Sequence, residues 1–178
     1  MDGIGDRRGL TVGTMCGRFL STAGPEELAR FFGTTVPDRR LGPRYNIAPT
    51  QEVYAVFVDG AAERRLDTFR WGLVPSWSKD GRRGPPLVNA RAETIAEKPS
   101  FRSSFRRRRC LIPMSGFYEW CGEVPSPSAP AGRPTVKQPY LVSSPDHPIL
   151  AAAGLWDAWR PSGDPDESWL HSCAVITT

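Results

Sequence analysis

Lysine, histidine and closely paired cysteines are all scarce in this chain. Lysine occurs at Lys79, Lys98 and Lys137 alone, although lysine and arginine together number 23. Histidine occurs at His147 and His171 alone, and the four cysteines, Cys16, Cys110, Cys121 and Cys173, form no C-x-x-C pair. That pattern completes no zinc-type spacing, so no metal and no cofactor is expected. His171 and Cys173 both carry donor atoms, but their spacing fits one face of a strand equally well. Irregular cysteine spacing also argues against a disulfide framework, and most of these thiols are expected to be small buried apolar groups. Nowhere do 18 apolar residues run together, which leaves no candidate membrane-spanning helix. The first 14 residues lack the apolar stretch of a secretory signal, so the default expectation is cytoplasmic.

What is abundant points to a turn-rich fold. The chain has 178 residues, enough for one domain with a core. Its 17 glycines and 18 prolines well exceed their usual joint share of roughly 12%. A long helical bundle is thereby excluded, and short strands joined by many turns are favoured. At 39% hydrophobic and 10% aromatic the chain is too apolar for general disorder. Its formal charge of +4 is carried almost wholly by arginine. The planar guanidinium suits bidentate phosphate contacts and is compatible with nucleic acid, although a GC-rich genome would inflate arginine equally well. Arg102 and the four arginines at 106–109 cluster within eight positions, a run that reads on its own as a solvated loop.

Residues 1–14 show no periodicity and read as a disordered leader or as the product of a misassigned start. A helix is expected over residues 25–32, with proline in its first turn, Glu26 and Glu27 at its positive end and Gly33 as its stop. Leu28, Phe31 and Phe32 supply its buried stripe. Residues 52–58 alternate and carry β-formers; Asp59-Gly60 turns them back towards a partner at 66–71. Further strands are expected at 110–112, 116–120, 139–143, 149–156 and 169–177, with a Pro/Ser/Gly-rich loop between Gly122 and Pro139. The sum is an α+β single domain dominated by antiparallel strands, with few short helices. Residues 172–178 are strand-like and stop without a polar cap, which would leave an apolar strand poorly covered. The chain looks cut short there.

Met15-Cys16-Gly17-Arg18-Phe19 carries a distinctive chemical possibility. If translation began at Met15, the methionine would be removed readily because a small residue follows. Cys16 would then bear a free α-amine, with a pKa of about 7.7 to 8.0, beside a thiol. Such a 1,2-aminothiol condenses with an aldehyde: the amine forms an imine and the thiolate closes a thiazolidine. An internal cysteine cannot do this, because its nitrogen is an amide. An ordinary buried cysteine remains the bland reading of the pentapeptide.

Four further segments stand in order behind it: Arg44-Tyr45-Asn46-Ile47-Ala48-Pro49-Thr50-Gln51, Trp71-Gly72-Leu73-Val74-Pro75-Ser76-Trp77, Asn89-Ala90-Arg91-Ala92-Glu93-Thr94, and Arg109-Cys110-Leu111-Ile112-Pro113 leading into Gly116-Phe117-Tyr118-Glu119-Trp120. With the Met15 segment they resemble, in order and spacing, the SRAP family of abasic-site processing proteins, from Met15 to Thr178. The resemblance implies a SRAP-like curved sheet or barrel. It also implies binding of single-stranded DNA containing an abasic site, a covalent thiazolidine link through an N-terminal cysteine, a peptidase-like autoprocessing that exposes that cysteine, and a place in the DNA-damage (SOS) response. It points to a monomer without metal or membrane association, nucleoid-associated when bound to damaged DNA.

Carried over by motif, Cys16 is the crosslinking residue, Asn89 holds the sugar and orients the amine, and Glu119 is the acid/base. Arg18 and Arg91 match phosphate-gripping positions, Asn46 matches a residue lining the cysteine pocket, and Trp77 resembles an aromatic that packs on bases. Each has a plainer alternative: a turn amide for Asn89, a surface carboxylate for Glu119, a core tryptophan for Trp77.

Two departures accompany the resemblance. The leader would bury the Cys16 nitrogen in a peptide bond, so either Met15 is the true start or residues 14–16 are processed. Family members also continue into a segment with a histidine before Arg-Met-Pro, and nothing here matches it; neither His147 nor His171 takes its place. The chain is therefore expected to be a fragment of a longer gene, incomplete at its C-terminal end, or a catalytically impaired single-strand-binding remnant. An N-terminal-nucleophile glutamine amidotransferase, which also begins Met-Cys-Gly, is the remaining alternative, though it has no use for the segments at 89–94 and 116–120.

Overall fold

The computed structural model describes residues 17–80, 85–124, 136–161 and 168–178. The leader at 1–14, Met15 and Cys16 lie outside the described residues. In chain order the elements are β1 (Arg18–Ser21), α1 (Pro25–Phe32), β2 (Arg44–Ile47), β3 (Glu52–Val58), β4 (Arg64–Trp71), β5 (Asn89–Arg91), α2 (Arg102–Arg107), β6 (Arg109–Met114), β7 (Gly116–Val124), β8 (Val136–Val142), β9 (Leu150–Trp159) and β10 (Leu170–Thr177). The expected α+β class with strands dominant is what the chain adopts. No helix among the described residues is long and apolar enough to cross a membrane.

Helix α1 forms for the reasons its sequence gives. Pro25 occupies the first turn with Glu26 and Glu27, and Gly33 closes the helix at φ 64°, its N–H donating to the Ala29 carbonyl. The buried stripe differs from expectation by one residue: it consists of Leu28, Ala29 and Phe32, while Phe31 is exposed. At 100° per residue, positions 28, 29 and 32 fall on one side and position 31 swings past its edge.

Among the described residues ten strands make two sheets. One has the order β2-β1-β7-β8. The other runs β4-β3-β6-β9-β10-β5, and β10 also pairs with β4, so five strands close into a small barrel. The closure is parallel, with Ser172 opposite Arg70 and Cys173 opposite Trp71. Alternation then sorts β10 into two faces. Cys173 and Val175 join Val53, Ala55, Phe69, Trp71 and Ile112 in the barrel interior, where Phe19 and Ile47 of the first sheet also pack. Ala174 and Ile176 face outward against Leu73, Ala90, Ile95 and Phe101. A third cluster seats α1 on Tyr54, Val56 and Leu66 of the β3–β4 hairpin.

Three expectations are corrected. The arginine run is not a loop: Arg106 and Arg107 end α2 and Arg109 opens β6. Buried Phe101 and Ser104, with half-buried Phe105, anchor that short helix at helical spacing while the arginines face water. Residues 172–177 are not a poorly covered edge, because β10 has β9 on one side and both β4 and β5 on the other. Nor is Trp77 the core tryptophan of its plainer reading: Trp71 is fully buried, whereas Trp77 and Trp169 are exposed.

The tightest approach in the barrel wall is at Gly154 of β9. A methyl group there would lie 2.9 Å from Ile112 Cδ1, 3.0 Å from the Ala174 carbonyl oxygen and 3.0 Å from Cys110 Sγ. Gly154→Ala is expected to destabilise the fold by about 1–3 kcal/mol through overpacking, read as a lower urea midpoint at unchanged slope. A midpoint equal to that of the parent chain would show that the wall gives way without strain.

Candidate functional site

The start of β1 lies against β7, with Arg18 opposite Tyr118 and Phe19 opposite Phe117. Alternation along β7 sends Phe117 and Glu119 to one face and Tyr118 to the other. Glu119 enters a cavity of about 370 Å³ whose wall is otherwise almost wholly apolar, with Met114, Phe117, Leu150 and residues 151–152 and 175–178 around it. Burial there pushes the Glu119 carboxyl above its ordinary range, opposed by the Trp120 backbone N–H that donates to it. A carboxyl raised in this way is suited to give and take a proton at a higher pH than an ordinary carboxylate.

On the opposite face Arg18 donates to Asn46 Oδ1 at 2.9 Å, and Tyr118 Oη donates to the Tyr45 carbonyl at 2.9 Å. The Arg18 guanidinium is thus held across the β1–β2 pair, opposite half-buried Tyr118. Asn89 and Arg91 stand on β5, opposite Val175 and Thr177. Val175 and Thr177 line the Glu119 cavity, and Ala90 between them turns into the outer cluster. Asn89 and Arg91 consequently share one face of β5, next to the β10 residues that line the cavity. Asn89 is a strand residue rather than a turn amide. The segment before it is fixed by the Val88 carbonyl, which accepts from Trp71 Nε1 at 3.0 Å and from the Val175 N–H at 2.9 Å.

Trp77 is 62% exposed and is not a core tryptophan. Its loop is fastened from below: the Val74 N–H donates to Ser172 Oγ at 2.8 Å and the Ser76 N–H to Asp157 Oδ2 at 2.9 Å. Ser172 lies five residues before Thr177 on β10, about 16 Å at the usual rise per strand residue, and Asp157 stands opposite it on β9. The structure therefore places Glu119 in the cavity, sets Asn89 and Arg91 on β5 beside the β10 residues that line it, puts Arg18 and Asn46 on the other face of the first sheet, and holds Trp77 apart. Cys16 lies outside the described residues.

Asp157 is the polar residue that sequence reasoning missed. It is 2% exposed and accepts from Ser76, from Ser104 Oγ at 3.4 Å, from the Ala158 N–H at 2.9 Å and from the Arg108 guanidinium. One carboxylate thus ties α2, β9 and the Trp77 loop together. The signal for it, an acid between two tryptophans in an apolar strand, was present in the sequence.

Two of the four cysteines are chemically quiet. Cys110 and Cys173 are buried and unbridged. Burial pushes the Cys110 thiol up to about 12 and raises that of Cys173 as well. No group of three or more His, Cys, Asp or Glu able to hold a metal ion occurs among the described residues.

The described residues thus form a closed barrel flanked by a second sheet, with a carboxyl set in a largely apolar cavity. The chain belongs to the SOS response associated peptidase (SRAP) family, whose model matches residues 15–178. Among its relatives is the abasic site processing protein YoqW of Bacillus subtilis (strain 168), 37% identical over 92% of this chain and 68% of its own length. Another is the abasic site processing protein HMCES of Xenopus tropicalis, 28% identical over 92% of this chain and 57% of its own. Solved structures agree on the fold: a Bacteroides thetaiotaomicron protein has a TM-score of 0.70 at 24% identity, covering 90% of this chain and 67% of its own. A phage-related protein from Bordetella bronchiseptica has a TM-score of 0.63 at 30% identity, with 90% and 68% covered.

Proposed function

We propose that this chain captures abasic sites in single-stranded DNA as a covalent thiazolidine on Cys16. The observation that carries the reading is the position of Glu119: a desolvated carboxyl one residue beyond the partner of Arg18. Covalent geometry keeps the Cα of residue 16 within about 7 Å of that of Arg18. The names of the relatives, which are abasic site processing proteins, supply the substrate class.

In the proposed reaction the Cys16 α-amine adds to C1′ of the ring-opened sugar, a C–N bond forms, and the carbonyl oxygen becomes a hydroxyl. Glu119 protonates that hydroxyl, which leaves as water and gives the imine. That imine is still protonated on nitrogen, so the thiol yields its proton to the Glu119 carboxylate, adds through sulfur to the same carbon, and closes the ring with the nitrogen keeping its remaining hydrogen. One water is released and no oxidant or reductant is needed. Asn89 orients the amine and sugar, while Arg18 and Arg91 hold flanking phosphates and Asn46 positions Arg18. Trp77 offers a stacking face to a base, a contact that contributes about 1–3 kcal/mol per base. Exposure of the Cys16 amine, by removal of Met15 or by autoprocessing, precedes all of this. The reading places the protein in the response to DNA damage, acting as a monomer.

Glu119→Gln is expected to slow covalent capture by roughly 10²- to 10⁴-fold. Because burial raises this carboxyl, the parent chain should lose the acid-dependent step at a pH above the ordinary carboxylate range near ~4.3, and the Gln variant should lack that limb. Quenched time courses on denaturing gels across pH read both effects. Equal rates and superimposable pH profiles would remove Glu119 from the mechanism. Salt-sensitive binding without a covalent product would favour the alternative of a single-strand-binding remnant.

A further inference from the structure

The barrel has a second mouth. Alternation along β9 and β10 puts Trp156, Ala158 and His171 on the interior face, at the end remote from Thr177. There a groove of about 560 Å³ opens between Ser76, Arg108, Trp156, Arg160, Trp169 and His171, a size within the span of roughly 300–1,000 Å³ usual for small-ligand sites. Its chemistry is unlike that of the Glu119 cavity. The Arg160 guanidinium lies 4.7 Å from the centre of the Trp169 ring, and that of Arg108 lies 5.6 Å from Trp156. His171 stacks on Phe69 at 5.4 Å and meets Trp156 edge-on at 6.1 Å, so the groove floor is a rigid aromatic layer. Asp157 beneath neutralises Arg108, whereas no carboxylate among the described residues pairs with Arg160. Trp169 is 55% exposed and Trp77, adjacent to Ser76 at the groove edge, is exposed as well.

We infer that this groove binds nucleotides of the single strand that leaves Trp77, with the indoles taking base faces and Arg160 a phosphate. Indole faces beside a guanidinium are the combination single strands demand, because every base has a π-face and every linkage a charge. A strand stacked on Trp77 has the groove as its next surface, and the fixed Ser76–Asp157 contact sets the two in one frame. The inference rests on the single-strand reading above, but it concerns hold on flanking DNA rather than the covalent step.

The test uses intact oligodeoxynucleotides, without any abasic site, of roughly 4 and roughly 16 nucleotides, titrated by fluorescence anisotropy against the full chain. In the parent chain the longer strand should bind more tightly. Trp169→Ala and Arg160→Gln should each cut that gain by about 5- to 20-fold, and Arg160→Gln should flatten the slope of log affinity against log salt by about one. Trp169→Phe, which retains a stacking face, should recover most of the affinity. Arg160 stands at the surface, so its variant decides the matter even if Trp169→Ala fails to fold. Length dependence and salt slope identical to those of the parent would overturn the inference. Failure of covalent capture with these binding effects intact would sink the chemistry of Cys16 and leave the groove standing; capture with groove variants indistinguishable from the parent would do the reverse.

Discussion

Replacing Cys16 by alanine, in protein that begins at residue 16, should abolish the denaturant-resistant product with abasic single-stranded DNA. The expected effect is total rather than graded, because thiazolidine closure needs an amine and a sulfur on adjacent carbons. The buried thiols cannot substitute: Cys110 and Cys173 sit inside the barrel wall, are held protonated by burial, and have amide nitrogens. Retaining residues 1–15 should silence the reaction just as completely, since the Cys16 nitrogen is then a peptide amide without a nucleophilic lone pair. Gel shift under denaturing conditions, with mass spectrometry of the N-terminus, reads both results. A covalent band that persists in Cys16→Ala would end the thiazolidine proposal.

The largest effect on stability is expected at Asp157. Its carboxylate is buried and receives Arg108, Ser104 and two backbone N–H groups. Asp157→Ala leaves the Ser76 N–H and the Arg108 guanidinium without their acceptor, in a site where water cannot replace it fully. Breaking a buried pair typically costs 3–5 kcal/mol. Arg108 retains some contact with solvent, which places the expected loss near the lower end, about 3 kcal/mol. Urea denaturation should show a much lower midpoint, and Asp157→Asn, which keeps an acceptor oxygen, a smaller drop. A change within about 0.5 kcal/mol would mean that the network rearranges around water. The same variant should loosen the Trp77 loop, whose Ser76 anchor it removes.

Local chemistry made much of the fold legible. Helix α1 and strand β3 have the expected bounds because each carries its own start, period and stop: Pro25 and Gly33 for the one, alternation ending at Asp59-Gly60 for the other. Strands β1, β2 and β5 were invisible because they are three or four residues long. Pairing with distant partners, Phe117 for Phe19 and Val175 for Asn89, holds them in place rather than any preference of their own. Helix α2 was hidden by its arginines, whose charge masked the apolar contacts of Phe101 and Phe105. For the site, the family resemblance named Glu119 and Asn89, but the placing of Asn89 next to the strand that lines the Glu119 cavity follows from β10 lying between β9 and β5. Nothing in the sequence reveals that Trp77 is held at the other end of β10, since the anchors of its loop, Asp157 and Ser172, are 81 and 98 positions from the residues they hold.

The parallel closure of β10 on β4 has a consequence for biosynthesis. Strands β3, β4 and β6 leave the ribosome well before the segment that must bridge β4 and β9 exists, and their free hydrogen-bonding edges wait in the meantime. The nascent chain is therefore a half-built sheet until residues 170–177 emerge, and late non-local pairing of this kind is slow. Chaperone demand and inclusion-body formation should follow translation speed through residues 170–177 more closely than they follow the strength of the finished core.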